Sequence, residues 1–513
     1  MKINVDEVLA QLKQENAQLT DAMENVSLVT NSYNDFIGSS QLQAEVYDRF
    51  SEFFGIVSKP LVQGILCMLE SKLEGNEKYG TAVESNLAGM GQIDDGKMRE
   101  MVIKLQNQVT SLESNVVTDV LSEPYTFVVE KLLATMNEKI QKVDNFLAQS
   151  TGCYSGFELA YGLVERGMDC ARNMNYNSST GMMQDVSTVD MKWSQEITKL
   201  YNGKTSQIIK NQYGEFLEKN PYLLHKIRRI VEFERFNTKY VEDTNKFLKD
   251  LDMTDQVGIK NVVYAADPLY RNLWFEHLNE YKIIQSTDGG AYFDWTMGAI
   301  VVNVAAYRAE NYHTFFHECG HAIDYYEGVD NKNDEGEEYS ETYKNNNGES
   351  LDDAIKVDVE KTIGDSVDQI LAESDYILSD LEKETVKDSV IKNIMSGGET
   401  DLTVIESKVA NTIAQDFARD AIGRRNSLVS DVYSGATNFE LVGSYSHINN
   451  QDAKGNYWYN NDGSVRRNPS IEYVAEYYGY AMTGNVGGMQ SVDKYFSGSK
   501  EVMEEMLKSM ANN

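Results

Sequence analysis

Three of the chain's six histidines fall within nine residues, in the run Asn311-Tyr312-His313-Thr314-Phe315-Phe316-His317-Glu318-Cys319-Gly320-His321-Ala322-Ile323-Asp324. At its centre is His-Glu-x-x-His, framed by apolar residues. On a helix His317 and His321 stand one turn apart, so both imidazoles can reach a single zinc ion. Glu318 then faces the substrate side, as a base for the water that such a metal activates. The blander reading is a pair of helix-surface histidines with no metal. Their concentration in a histidine-poor chain weighs against it.

Catalytic zinc needs a third protein ligand and one open position. The segment Asn468-Pro469-Ser470-Ile471-Glu472-Tyr473-Val474-Ala475-Glu476-Tyr477-Tyr478 begins like a helix after a proline-containing turn, with Glu472 and Glu476 spaced i, i+4 on one face. Apolar and aromatic neighbours argue against two solvent-facing carboxylates. Asp324 and Glu327 are nearer in sequence. Asp324 shares a helical face with His317 and His321 but lies roughly 4.5 Å farther along the axis than His321, so its short side chain suits support of a ligand better than ligation. Glu327 sits a further turn along, near the glycine expected to end the helix, and is expected to face solvent.

Together the two segments resemble the catalytic domain of anthrax lethal factor and its relatives among the gluzincin metallopeptidases. The likeness is closest in His317-Glu-Cys-Gly-His-Ala-Ile-Asp324 and in Glu472-Tyr-Val-Ala-Glu476. The resemblance implies a zincin-like fold and one Zn2+ per chain held by His317, His321 and Glu472. It also makes Glu476 an outer partner that orients a ligand histidine. The family uses a tyrosine to stabilise the oxyanion formed when water attacks a peptide carbonyl. Tyr445, in Gly443-Ser444-Tyr445-Ser446-His447, is the candidate, with Tyr457 and Tyr459 as rivals. His447 is a possible helper or alternative ligand. The stretch from His321 to Glu472 is much longer than the family's.

Elements must position these residues. Short β-branched and aromatic runs, Tyr281-Lys282-Ile283-Ile284-Gln285-Ser286, Tyr292-Phe293-Asp294-Trp295 and Ala299-Ile300-Val301-Val302-Asn303-Val304, read as strands of a small antiparallel or mixed sheet before the histidines. Between residues 324 and 388 there are 21 acidic and 6 basic residues, which read as a solvated helical insertion covering about 330–425. Upstream, only Pro60 and Pro124 interrupt the first 200 residues, so long helices are expected there. Val102, Leu105, Val109, Leu112 and Val116 lie on one helical face, and Leu132, Met136, Ile140, Val143 and Leu147 on another, the pattern of a helix-bundle core. The expected architecture is therefore multidomain: an all-α hairpin or bundle at 1–200, and an α+β, zincin-like metallopeptidase domain at 201–513 with a helical insertion.

The opening region carries a second resemblance. Ser39-Ser40-Gln41-Leu42-Gln43-Ala44-Glu45-Val46-Tyr47-Asp48 and Pro60-Leu61-Val62-Gln63-Gly64-Ile65-Leu66 resemble the LXG modules that open many Gram-positive secreted toxins, although Ala44 stands where that family usually has glycine. The likeness implies leaderless export by a type VII route, together with small helical partner proteins. It fits an amphipathic, charged N-terminus without the apolar stretch of a general secretory signal.

Composition narrows the function further. A net charge of −33, from 80 acidic and 47 basic residues, repels phosphate backbones and argues against nucleic-acid partners. The longest apolar stretches, 60–69 and 299–306, are too short or too interrupted to span a membrane. The four cysteines show no paired spacing, so no disulfide framework is expected. The reading is a secreted bacterial toxin that hydrolyses peptide bonds in a protein or peptide substrate with a zinc-activated water, countered by a cognate immunity protein. The alternatives are a peptidoglycan metallo-endopeptidase, or a noncatalytic helical adhesion protein with a remnant zinc motif.

Overall fold

The computed structural model describes residues 1–38, 53–114, 123–174, 176–177, 182–183, 190–287, 290–331, 338–398, 400–423, 427–438, 440–441, 458 and 468–511. These residues are mostly helical, with a small amount of sheet. They form two compact units, Met1–Leu224 with Val231–Thr238, and His225–Ile230 with Lys239–Asn513. No helix among them is long and apolar enough to cross a membrane.

In the first unit the helix Lys59–Leu87 is the axis against which the helices Val5–Gly38, Glu123–Ser150, Ser155–Asn173 and Lys192–Lys219 pack. Residue 200 lies inside the last of these. Glycines let the helices approach: a Cβ at Gly64 would lie 2.6 Å from Ile197 Cδ1, and one at Gly167 would lie 2.7 Å from the Trp193 ring. The amphipathic stripes are realised in part. Val102, Leu105 and Val143 are buried, whereas Leu132 and Leu147 are about half exposed. Each of these two leucines adjoins another apolar residue, Leu133 and Phe146, and periodicity does not decide which of two neighbours turns inward. Residues 39–48 of the LXG-like segment and Val116 lie outside the described residues. The four cysteines are free thiols, with Cys67 and Cys319 buried.

The second unit contains the three expected strands. Ala299–Val302 lies between Lys282–Gln285, to which it is parallel, and Tyr292–Asp294, to which it is antiparallel. All four residues of this central strand are buried. The histidine helix, His313–Asp330, packs on the sheet and on the glutamate helix, Pro469–Thr483. Both helix surfaces are notched. A Cβ at Gly320 would come within 2.8 Å of Ala475 Cα, and one at Gly479 within 2.8 Å of the His313 ring.

The acidic stretch departs from the expected solvated insertion. Its helix Leu351–Glu373 buries Leu351, Ile355, Val359, Ile363 and Val367, an unbroken i, i+4 line, and packs against the helix Ser497–Met510. Acidic composition does not report which face packs; an apolar stripe hidden among the charges makes the helix core.

Three helices of this unit share a device. The helices Tyr339–Thr342, Pro469–Thr483 and Ser497–Met510 have no side-chain cap of their own. In each, an aspartate from elsewhere accepts both the backbone N–H and the hydroxyl of a first-turn serine. Asp324 takes Ser340 at 2.8 and 2.6 Å, Asp352 takes Ser470 at 3.0 and 3.2 Å, and Asp358 takes Ser499 at 2.8 and 2.7 Å. A carboxylate there satisfies orphan N–H groups and complements the positive end of the helix dipole.

Candidate metal centre

The histidine helix is aimed by its entry. Asn311 and Tyr312 are both left-handed, at φ 53° and 63°, a conformation that costs non-glycine residues energy and persists only where the surroundings enforce it. Here the Tyr312 hydroxyl donates to Asp255 at 3.2 Å, and Arg308 pairs with Asp255 and Asp252. Gly258 leaves the room: a Cβ there would sit 2.0 Å from the Tyr312 oxygen. The next residue is His313.

One turn apart, His317 and His321 bring their Nε2 atoms to 3.2 Å from each other. Glu472 Oε2 lies 3.5 Å from the first and 3.6 Å from the second. The three residues form a group able to hold a metal ion. Tetrahedral zinc with ligands at 2.0–2.1 Å separates neighbouring ligand atoms by about 3.3–3.4 Å. The triangle therefore has the dimensions of one face of a zinc tetrahedron, and the donor set suits zinc.

Glu476, one turn beyond Glu472, places Oε1 3.2 Å from His317 Nδ1. Its other oxygen meets His313 Nε2 at 3.1 Å, while the His313 ring stacks on Tyr480 at 4.6 Å. Burial pushes the Glu476 carboxyl up, but the charges and hydrogen bonds of His313 and His317 outweigh it and hold it well below the usual carboxylate range. For His317 the order is mirrored. Burial disfavours the imidazolium, Glu472 and Glu476 favour it more strongly, and the pKa stands well above the ordinary value.

Glu318 is buried beside this group. Burial raises its pKa, the two histidines oppose that, Glu472 raises it further, and a hydrogen bond from the Phe293 N–H lowers it; the net direction is up. Phe293 belongs to the edge strand Tyr292–Asp294. A carboxylate lifted toward neutrality is suited to exchanging protons with a substrate.

Other residues lie elsewhere than the sequence suggested. Asp324 gives its carboxylate to Ser340, not to a ligand histidine, because a residue seven positions beyond His317 reaches forward to the following segment. Burial pushes its carboxyl up to about 8 against the Ser340 hydrogen bonds. Glu327 is buried, not solvent-facing: its carboxylate lies 3.1 Å from His277 Nε2, and His277 Nδ1 lies 2.5 Å from Glu280. Its neighbour in space is thus a histidine 50 residues earlier, which helix position alone does not reveal. Tyr445, Tyr457, Tyr459 and His447 lie outside the described residues.

Sequence reasoning counted His313 without giving it a role. The signal was there: His313 precedes His317 by one turn, as Glu476 precedes Tyr480. Tyr307 also went unnoticed. It is half-buried, and burial with the charge of Glu318 raises its phenol pKa.

Comparison with known proteins gives one distant relationship. A Bacillus cereus protein named "Toxin" is 21% identical over 227 residues, which are 43% of this chain and 41% of that protein. The matched stretch is thus less than half of the relative's length. No family profile and no solved structure matches the chain. What the comparison supports is a distant toxin relationship.

Proposed function

We propose that the chain is a secreted bacterial toxin whose second unit is a zincin-like metallopeptidase. The observation that carries this reading is the triangle of half-buried His317 Nε2 and His321 Nε2 with buried Glu472 Oε2 at 3.2–3.6 Å, with Glu318 next to it. A zinc ion held there supplies Lewis acidity, polarising a carbonyl and making water a nucleophile near neutral pH. Glu318 accepts the proton of the attacking water and returns it to the departing amine. The Phe293 N–H holds Glu318 in place for both transfers, and Glu476 fixes the ring of His317. Among the described residues Tyr292–Asp294 is an edge strand of the sheet, and an extended peptide can lie alongside it.

The first unit, in this reading, serves export with small helical partners. A name shared with a distant toxin supports the toxin role and leaves the target open.

The test is zinc analysis with a hydrolysis assay on unfolded protein and on purified peptidoglycan. About one zinc per chain is expected. Glu318→Gln should keep that zinc and lose hydrolysis by about 10²–10⁴-fold, the range of a removed general base. An active Glu318→Gln protein would remove the mechanism, and muropeptide release would move the substrate to the cell wall.

A further inference from the structure

The long acidic connector between the two motifs does not simply bridge them. It is tied to the histidine helix at one point and to the start of the glutamate helix at two. Asp324, on the histidine helix, captures Ser340 through N–H and hydroxyl. The residue after Ser340, Glu341, accepts a hydrogen bond from Asn468 Nδ2 at 2.9 Å, and Asn468 is the residue at which the glutamate helix starts. Eleven residues farther, Asp352 accepts the N–H and hydroxyl of Ser470. Ser470 precedes the ligand Glu472 by two residues. Neither Asn468 nor Ser470 caps this helix locally, so its first turn is held by the connector.

We propose that the connector is a positioning bracket for the metal ligand Glu472, with Asp352 and Glu341 as its positioning residues. The inference rests on the metal-site reading above and adds how the third ligand is brought to the histidines over 150 residues of chain. Helix packing alone fixes where the glutamate helix lies through Gly320 and Gly479. Rotation and translation of its first turn, which carries Glu472, depend on what grips residues 468–470. A slip of 1 Å there is large against ligand distances that must hold within about 0.2 Å. The bracket starts on the same helix as His317 and His321, so the ligands are referenced to each other and not to the rest of the unit.

The helix Leu351–Glu373, which carries Asp352, also supplies the control. Asp358 grips Ser499 as Asp352 grips Ser470, but the helix it caps carries no ligand. The experiment is titration of the full-length, metal-stripped protein with Zn2+, and with Co2+ followed by the visible absorption of the cobalt site. Asp352→Leu should weaken zinc binding by about 10- to 100-fold, as loss of an outer-shell support does, and should alter the cobalt spectrum. Asp352→Asn keeps an acceptor for the Ser470 N–H and a partner for its hydroxyl, so it should restore both affinity and spectrum. Asp358→Leu should lower stability while leaving affinity and spectrum at parent values. Ser470→Ala and Glu341→Ala, which remove a hydroxyl donor and the acceptor of the Asn468 Nδ2–H, provide milder versions if Asp352→Leu does not fold, each weakening affinity by less than the full loss. Parent affinity in Asp352→Leu, or in both milder variants, overturns the bracket; so does an equal metal defect in Asp358→Leu. Retention of zinc by His317→Ala would instead overturn the site itself, whatever the Asp352 variants do.

Discussion

Two clusters of buried charge, one in each unit, are built in opposite ways. In the first, Arg235 is nearly enclosed and pairs twice with Glu70, at 3.2 and 2.9 Å; it also donates to Thr205, while Lys204 reaches Glu70 at 3.0 Å. Burial alone would raise the Glu70 carboxyl, yet Arg235 and Lys204 pull it below its usual value. That network is a closed account of opposite charges. In the second unit Glu318, Glu472, Glu476, Asp324 and Glu327 are all buried. The cations close to Glu472, Glu476 and Glu327 are histidines. Permanently charged partners make a structure; carboxylates paired with groups that titrate near neutrality make a site that accepts protons or a metal.

The strongest break in this comparison is at the ligands. His317→Ala, His321→Ala and Glu472→Ala should each lose most or all zinc, as read by metal analysis after dialysis, with the first unit still folded. Normal zinc in Glu472→Ala with loss in Glu476→Ala would exchange the two carboxylates' roles. The reciprocal experiment is Arg235→Ala, which leaves the largely enclosed Glu70 with Lys204 as its remaining cation. Breaking one partner of a buried pair costs about 3–5 kcal/mol, so urea unfolding of the first unit should shift strongly while zinc content stays at the parent value. Zinc loss in Arg235→Ala would remove the distinction between the units. Smaller still is Glu476→Gln, which should retain zinc with about 10- to 100-fold weaker affinity. His313→Ala should follow it in the same direction and by less, since His313 acts on His317 only through Glu476.

What the sequence revealed follows from the range of each interaction. His-Glu-x-x-His, the Glu472/Glu476 pair and the three strands are local patterns, and the spacing of one helical turn or one strand alternation carries them directly. Bringing Glu472 to the histidines required the resemblance, since nothing local links residues 321 and 472. The aspartate caps were invisible because their partners lie 16, 118 and 141 residues away. The acidic connector was misread as solvated because composition averages over faces: Leu351, Ile355, Val359, Ile363 and Val367 are a regular stripe within it, and their spacing alone would have shown a buried helix. Glu327 was misplaced for the converse reason. Its position near the end of its helix suggested solvent, and only the fold supplies His277.

The mildest effect expected is a pH dependence at the bracket. Burial raises the Asp352 carboxyl from 3.8 to about 6, and Glu341 adds to this; the two Ser470 hydrogen bonds and Lys356 oppose it without cancelling it. The folded state therefore holds its proton more tightly than the unfolded chain does. By linkage, the stability this group contributes is fully present below about 3.8 and is lost as pH rises toward 6. A shift of about two units corresponds to a loss on the order of 3 kcal/mol, since each unit is worth about 1.4 kcal/mol. Asp352→Asn has no proton to release and keeps both contacts with Ser470. Urea unfolding of the second unit between pH 4 and 7 should show the parent falling relative to Asp352→Asn through this window, with the difference constant above it. The Arg235 network predicts the opposite slope for the first unit, because the depressed Glu70 carboxyl contributes stability above the usual glutamate pKa and surrenders it as pH falls. Parallel pH profiles for the parent and Asp352→Asn over this range would mean that the fold does not raise the Asp352 carboxyl, which is then charged throughout the range, and that the bracket works as a salt-like cap in place of a proton-holding one.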